Sequence, residues 1–163
     1  MNKVAKFHKV SKHKFLESYN GNNADAVYDA IKLPRRATVG SAGYDFFAPF
    51  DFTLAPGQEI TVPTGIRAEI DEGYVLMLYP RSGLGFKYRL RLNNTVGIID
   101  SDYFYSDNEG HIMIRMTNCS DEKTVNAQAG QGFAQGIFMP FAITVDDDAD
   151  GVRNGGFGST TKK

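Results

Sequence analysis

Apolar and polar residues alternate along much of the chain. Ile60, Val62, Thr64, Ile66, Ala68 and Ile70 fall at every second position and so share one face of an extended segment. Pro63 and Gly65 interrupt that face, which predicts an edge strand or a bulged pair of strands. Residues 74–79, YVLMLY, form a short apolar run suited to a buried strand. Ile112, Ile114 and Met116 alternate again, and Phe133 to Phe138 gives another run, broken by Gly136. Only ADAVYDAI, from Ala24 to Ile31, reads as a helix, with Asn22 and Asn23 as N-caps before it and Pro34 after it. Many short strands with glycine and proline turns and one short helix predict an all-β sandwich or jelly roll. The pattern predicts one β domain over 1–145. The acidic stretch DDDADG at 146–151 then opens a linker and C-terminal arm covering 146–163.

Composition narrows the function classes. A chain of 163 residues with 42% hydrophobic content fits a single soluble domain. A formal net charge of -1 gives no bulk attraction to nucleic acid or membrane. The one cysteine, Cys119, has no partner for an internal disulfide, so a reducing cytoplasm is the expected compartment. The basic start, MNKVAKFHKVSKHKF, lacks the apolar segment of a secretory signal, and its lysines suit a solvated strand edge. DDDADG lacks the ligand spacing and distal Glu of an EF-hand loop.

Four stretches carry candidate chemistry. SAGYD at 41–45 places Asp45 in a tight turn between aromatics. PRSG at 80–83 combines the forked donors of Arg81, the hydroxyl of Ser82 and the close backbone approach that Gly83 permits, a set suited to phosphate oxygens. It is not a nucleophile elbow, because Pro80 stands where that motif needs Gly. NNTVGIIDSDY at 93–103 predicts a hairpin around Gly97 whose backbone row can read the edge of a nucleobase. Asp100 directly after Ile98 and Ile99 can hold and deprotonate a water. RNGGFGST at 153–160 is neither a Walker A loop nor a dinucleotide fingerprint, yet it holds an Arg, an aromatic and two hydroxyls on flexible glycines.

Taken in order, SAGYD, PRSG, NTVGIIDSDY, GQGFAQ (130–135) and RNGGFGST resemble the five motifs of the trimeric dUTPase family. The resemblance implies a jelly-roll (β-clip) subunit, a closed homotrimer with sites shared between subunits, and hydrolysis of dUTP to dUMP and pyrophosphate with Mg²⁺. By position, Asp100 resembles the general base. Asn94, Gly97 and the backbones of Ile98, Ile99 and Met113 resemble the uracil-reading hairpin, and Tyr103 the residue that packs on deoxyribose. Arg81, Ser82, Gly83 and Gln135 resemble triphosphate contacts. Asp45 resembles a partner of waters on the magnesium that the triphosphate carries. Phe157 would stack on uracil, while Arg153, Ser159 and Thr160 would grip phosphates.

Three positions depart from the family pattern. Gly132 stands where an Arg is usual, and Val152 occupies the usual place of the arm's Arg, with Arg153 one residue nearer the glycines. Six residues, Phe104 to Glu109, separate Tyr103 from Gly110 where one is usual. That insertion reads either as a tolerated surface loop or as a surface for a protein partner. Two alternatives share the fold: a dCTP deaminase or bifunctional relative, and a module that binds nucleotide and protein without turnover.

Overall fold

The computed structural model describes residues 2–154. The chain opens with β1 (Ala5–Lys9), α1 (Lys12–Ser18) and α2 (Ala24–Ala30). Next come β2 (Tyr44–Phe47), β3 (Phe52–Leu54), β4 (Glu59–Pro63), β5 (Ile66–Ile70) and β6 (Tyr74–Pro80). After α3 (Ser82–Tyr88) follow β7 (Leu90–Leu92), β8 (Gly97–Ile99), a 3₁₀ helix (Ser101–Tyr105), β9 (Met113–Asn118), β10 (Val125–Ala127) and β11 (Gly132–Pro140). The strands form a four-stranded sheet in the order β2-β11-β6-β8, a three-stranded sheet β4-β9-β7, and two pairs, β1-β5 and β3-β10. Every pairing is antiparallel. Their inner faces enclose one core that includes Phe15, Phe46, Leu76, Ile114, Met116 and Phe133.

The long alternating face is buried as expected from Val62 to Ile70, and Pro63–Gly65 divides it. On one side β4 pairs with β9, and on the other β5 pairs with β1. The chain turns this corner at Gly65, whose φ is +70°. A Cβ there would lie 2.3 Å from Ile31 Cδ1. Side chains replace the ladder bonds lost at the corner. Thr64 Oγ1 donates to Ile112 O at 2.7 Å, and the Gly65 N–H donates to His111 Nε2 at 2.9 Å. His111 is almost wholly buried, and this burial lowers its pKa to about 4, with Glu109 pulling weakly the other way.

Three helices replace the single one expected. α1 starts at Ser11, whose Oγ accepts from the Lys14 N–H, and it drives Phe15 into the core. A seven-residue helix with one large buried anchor leaves little periodic signal in a lysine-rich stretch. α3 forms where PRSG reads as a turn. Its two glycines each disfavour helix by about 1 kcal/mol, and the packing of Leu84 against the core offsets this. α2 ends one residue before the expected boundary, and Asn23 sits in the left-handed region (φ 55°) without a side-chain cap. Its C-terminus is instead held by Lys9 Nζ, which donates to Tyr28 O and Asp29 O.

Gly136 does not break the run at 133–138, because β11 is continuous across it. A Cβ at that position would stand 2.8 Å from Leu76 Cδ1 and 3.0 Å from the Phe46 ring, so glycine here reports close packing. Beyond Pro140 the described residues form no helix or strand, and Phe141, Ile143 and Val145 are exposed. No helix among the described residues is long and apolar enough to cross a membrane.

Candidate functional site

The sheet register assembles the first part of the site. On β11, Gln135 lies opposite Asp45 of β2 and Tyr79 of β6, so the ends of three adjacent strands converge. Asp45, Arg81, Ser82 and Gln135 line a hollow of about 200 Å³ together with Ala37, Ser41 and Gly43. Arg81 Nε lies 3.1 Å from Asp45 Oδ1, and Arg81 Nη1 donates to Gly132 O at 3.1 Å. Gln135 Nε2 donates to Pro80 O. Two glycines here lie under the ends of flexible side chains, which a Cβ would push aside. A Cβ at Gly132 would meet Arg81 Nη1 at 2.6 Å, and one at Gly43 would meet Gln135 Oε1 at 2.6 Å. Ser82 and Gly83 open α3, whose first N–H groups have no intrahelical partner. No atom lies within 4 Å of a Cβ built at Gly83, so that side of the turn is open.

The second part is a cleft of about 790 Å³ between the two larger sheets. Asn94, Gly97, Ile98, Ile99, Tyr103, Met113 and Arg153 all line it. β8 lies at the edge of its sheet, paired only with β6, so its outer row of backbone groups is free for a ligand. β9 starts at Met113, and β7 pairs with β9 only from Met116 onward. Gly97 packs tightly where β8 crosses β6, since a Cβ would stand 3.0 Å from Leu78 Cβ. Ile98 is half-exposed at the mouth, so it contributes less to drying Asp100 than the sequence suggests.

Asp100 follows β8 and occupies the N-cap position of the 3₁₀ helix, without a side-chain capping bond. Arg153 Nη2 donates to Asp100 Oδ2 at 2.5 Å, and its Nε lies 2.9 Å from Asp102 Oδ1. Val152, at the usual place of the arm's Arg, is exposed, and Arg153 is the residue that reaches the acidic pair. Tyr103 is buried with its phenol satisfied twice, donating to His111 O at 2.8 Å and accepting from Asn108 Nδ2 at 2.7 Å. Burial raises its pKa, partly offset by Asn108 and Arg153, so the phenol stays neutral.

The two hollows share no lining residue. Asp45, Arg81, Ser82 and Gln135 therefore stand apart from the Asn94–Tyr103 cleft within one chain. Phe157, Ser159 and Thr160 lie outside the described residues. Sequence reasoning missed Thr61, Asn93, Val96 and Arg115 in the cleft, and Ala37 and Gly43 in the small hollow. Arg115 and Thr61 read as outward positions of alternating strands, and only the fold brings them to the cleft. The sole signal for Gly43 was its place in SAGYD.

Among the described residues, no group of three or more His, Cys, Asp or Glu side chains is placed to hold a metal ion. The lone Asp45 carboxylate beside Arg81 suits a Mg²⁺ ion that keeps most of its waters and arrives on phosphates.

Residues 29–161 match the dUTPase family model. The deoxyuridine 5'-triphosphate nucleotidohydrolase of Lactococcus lactis is 44% identical over 133 residues, covering 80% of this chain and 88% of that protein. The dUTPase of Streptococcus mutans superposes with a TM-score of 0.66 at 36% identity, over 85% of this chain and 97% of its own. A mutant dUTPase from phage phi11 of S. aureus, solved to show how it coordinates a structural Mg(II) ion, shares the fold at 20% identity. Its TM-score is 0.65, over 91% of this chain and 98% of its own. Matched by the family model over residues 29–161 and by a relative 44% identical over 80% of its length, this chain belongs to the dUTPase family.

Proposed function

We propose that the chain hydrolyses dUTP to dUMP and pyrophosphate, with Asp100 activating the water that attacks the α-phosphorus in line. The observation that carries this reading is the cleft itself. The free edge of β8, the start of β9 and the buried Tyr103 face one cavity, and Asp100 stands at the end of β8. Uracil presents acceptor, donor, acceptor along its pairing edge. Backbone groups fixed by β8 and β9 match such a row and leave buried groups unpaired against cytosine, a mismatch that discriminates by roughly 10⁴. Tyr103 closes the cleft where deoxyribose would lie. Arg81, Ser82, Gly83 and Gln135 receive the phosphates, and Arg153 exchanges its carboxylate partners for a phosphate when the nucleotide binds. Bound Mg²⁺ would supply charge neutralisation for the leaving pyrophosphate, with Asp45 holding its waters. Because one chain keeps the phosphate hollow and the base cleft apart, the complete site is assembled from neighbouring subunits of a homotrimer.

The test is incubation with Mg²⁺ and each of dUTP, dCTP, UTP and dTTP, measuring pyrophosphate and ammonia. Pyrophosphate from dUTP alone is expected. Ammonia from dCTP would favour the deaminase, and no product at all the binding module. Asp100→Asn is expected to bind dUTP and lose turnover by about 10³ or more. Near-normal turnover in that variant would remove Asp100 from the base role.

A further inference from the structure

The six-residue insertion after Tyr103 has a definite geometry. Ser106 Oγ lies 2.7 Å from Tyr103 O and 2.7 Å from Asn108 Oδ1. The Gly110 N–H donates to Asn108 Oδ1 at 3.2 Å, which fixes the amide so that Nδ2 faces Tyr103. That Nδ2 then donates to the Tyr103 hydroxyl at 2.7 Å, while the hydroxyl donates to His111 O. The insertion therefore grips Tyr103 at both ends, through the backbone carbonyl and through the phenol.

The loop is itself anchored. The Arg67 guanidinium sits 3.5 Å over the Phe104 ring and donates to Phe104 O at 2.6 Å. Glu109 accepts from both the backbone N–H and the hydroxyl of Ser11 at 2.7 Å, which ties the loop to the start of α1. The Tyr103 ring lines the base cleft and is only 5% exposed. Its height above a sugar is thus set by what holds its far end.

We propose that Asn108 is a positioning residue that selects 2'-deoxyribonucleoside over ribonucleoside triphosphates, by fixing the Tyr103 ring where it leaves no room for a 2'-hydroxyl. This rests on the reading that Tyr103 packs on the sugar. Losing the amide donor leaves a buried phenol lone pair unpaired, and the ring gains freedom to tilt away from the sugar. A ribose hydroxyl then meets less resistance.

Asn108→Asp tests this with little change of shape. It keeps the acceptor used by Ser106 and Gly110 and replaces the donor at the phenol by an acceptor, so the single phenol proton can no longer serve a bond to residue 108 together with the bond to His111 O. Tyr103→Phe removes the same bond from the other side and keeps the ring. Steady-state kcat and KM are measured for dUTP and UTP in both variants, the double variant and Tyr103→Ala. Each single variant is expected to lower the dUTP-over-UTP ratio of kcat/KM about tenfold, and the double variant by no more than either. The change is expected mainly in KM for UTP, and Asn108→Asp is expected to hold kcat for dUTP within about threefold. A ratio unchanged in Asn108→Asp overturns the proposal. If that variant does not fold, an unchanged ratio in Tyr103→Phe overturns it. Should Tyr103→Ala also keep the ratio, the reading of Tyr103 on the sugar fails together with the inference. If only Tyr103→Ala loses it, the role of Asn108 alone fails.

Discussion

At position 132 a glycine stands where the family's fourth motif usually has an arginine, and the Arg81 guanidinium lies where a side chain at 132 would begin. The departure is thus a rearrangement in which Arg81 leans across the strand end and binds the carbonyl of residue 132. Gly132→Ala is expected to push Arg81 off this position and lower kcat/KM for dUTP about tenfold or more, the size of a lost charged hydrogen bond. Pyrophosphate release at varied dUTP would measure it. An unchanged kcat/KM would mean that Arg81 acts from another pose. The residues of the candidate site were largely legible in sequence, because ordered motifs name them. Their partners were not. Nothing near Gly132 in sequence announces an arginine 51 positions away, just as nothing near Gly43 announces the Gln135 amide above it.

The corner between β4 and β5 shows what an element asks of one buried side chain. His111 Nε2 accepts from the Gly65 N–H, so a proton on that nitrogen would set donor against donor. Its folded pKa, about 4, lies below the ordinary 6.5, so the unfolded chain takes up the proton first as pH falls. The stabilisation is fully present above about pH 6.5 and is lost as pH falls toward 4, up to roughly 3 kcal/mol. Urea unfolding at pH 7 and pH 4.5 should show this loss, and His111→Gln, whose amide can still accept, should show a flatter pH dependence. Equal slopes for the two proteins would remove His111 from the account. At this scale the strands were legible from period-two alternation alone. α1 and α3 were not, because each is seven residues long. α1 is held by buried Phe15 and α3 by the partly buried Leu84 and Tyr88, rather than by an intrinsic preference that a sequence window can register.

For the whole molecule, the informative residues are those that a lone chain leaves uncovered. Phe86 is 91% exposed, and beyond the last strand Phe141, Ile143 and Val145 present alternate apolar side chains to solvent. A soluble chain seldom exposes so regular an apolar stripe unless another surface covers it. We expect a neighbouring subunit of the proposed homotrimer to cover it, and light scattering should return a mass three times that of the chain. A monomeric mass at micromolar concentration would rule the assembly out. The sequence pointed to this assembly only through family resemblance, since the stripe follows the last strand and its periodicity alone does not say whether neighbour or core receives it.

The separation of the Asp45–Arg81 hollow from the β8 cleft has a genetic consequence. If each working centre draws one part from one chain and the other part from its neighbour, defects in the two parts belong to different complementation groups within a single gene. Chains carrying Arg81→Ala and chains carrying Asp100→Asn would each fail alone. Produced together in one cell, they would form mixed assemblies in which some centres inherit the intact half of each allele, and part of the lost phenotype would return.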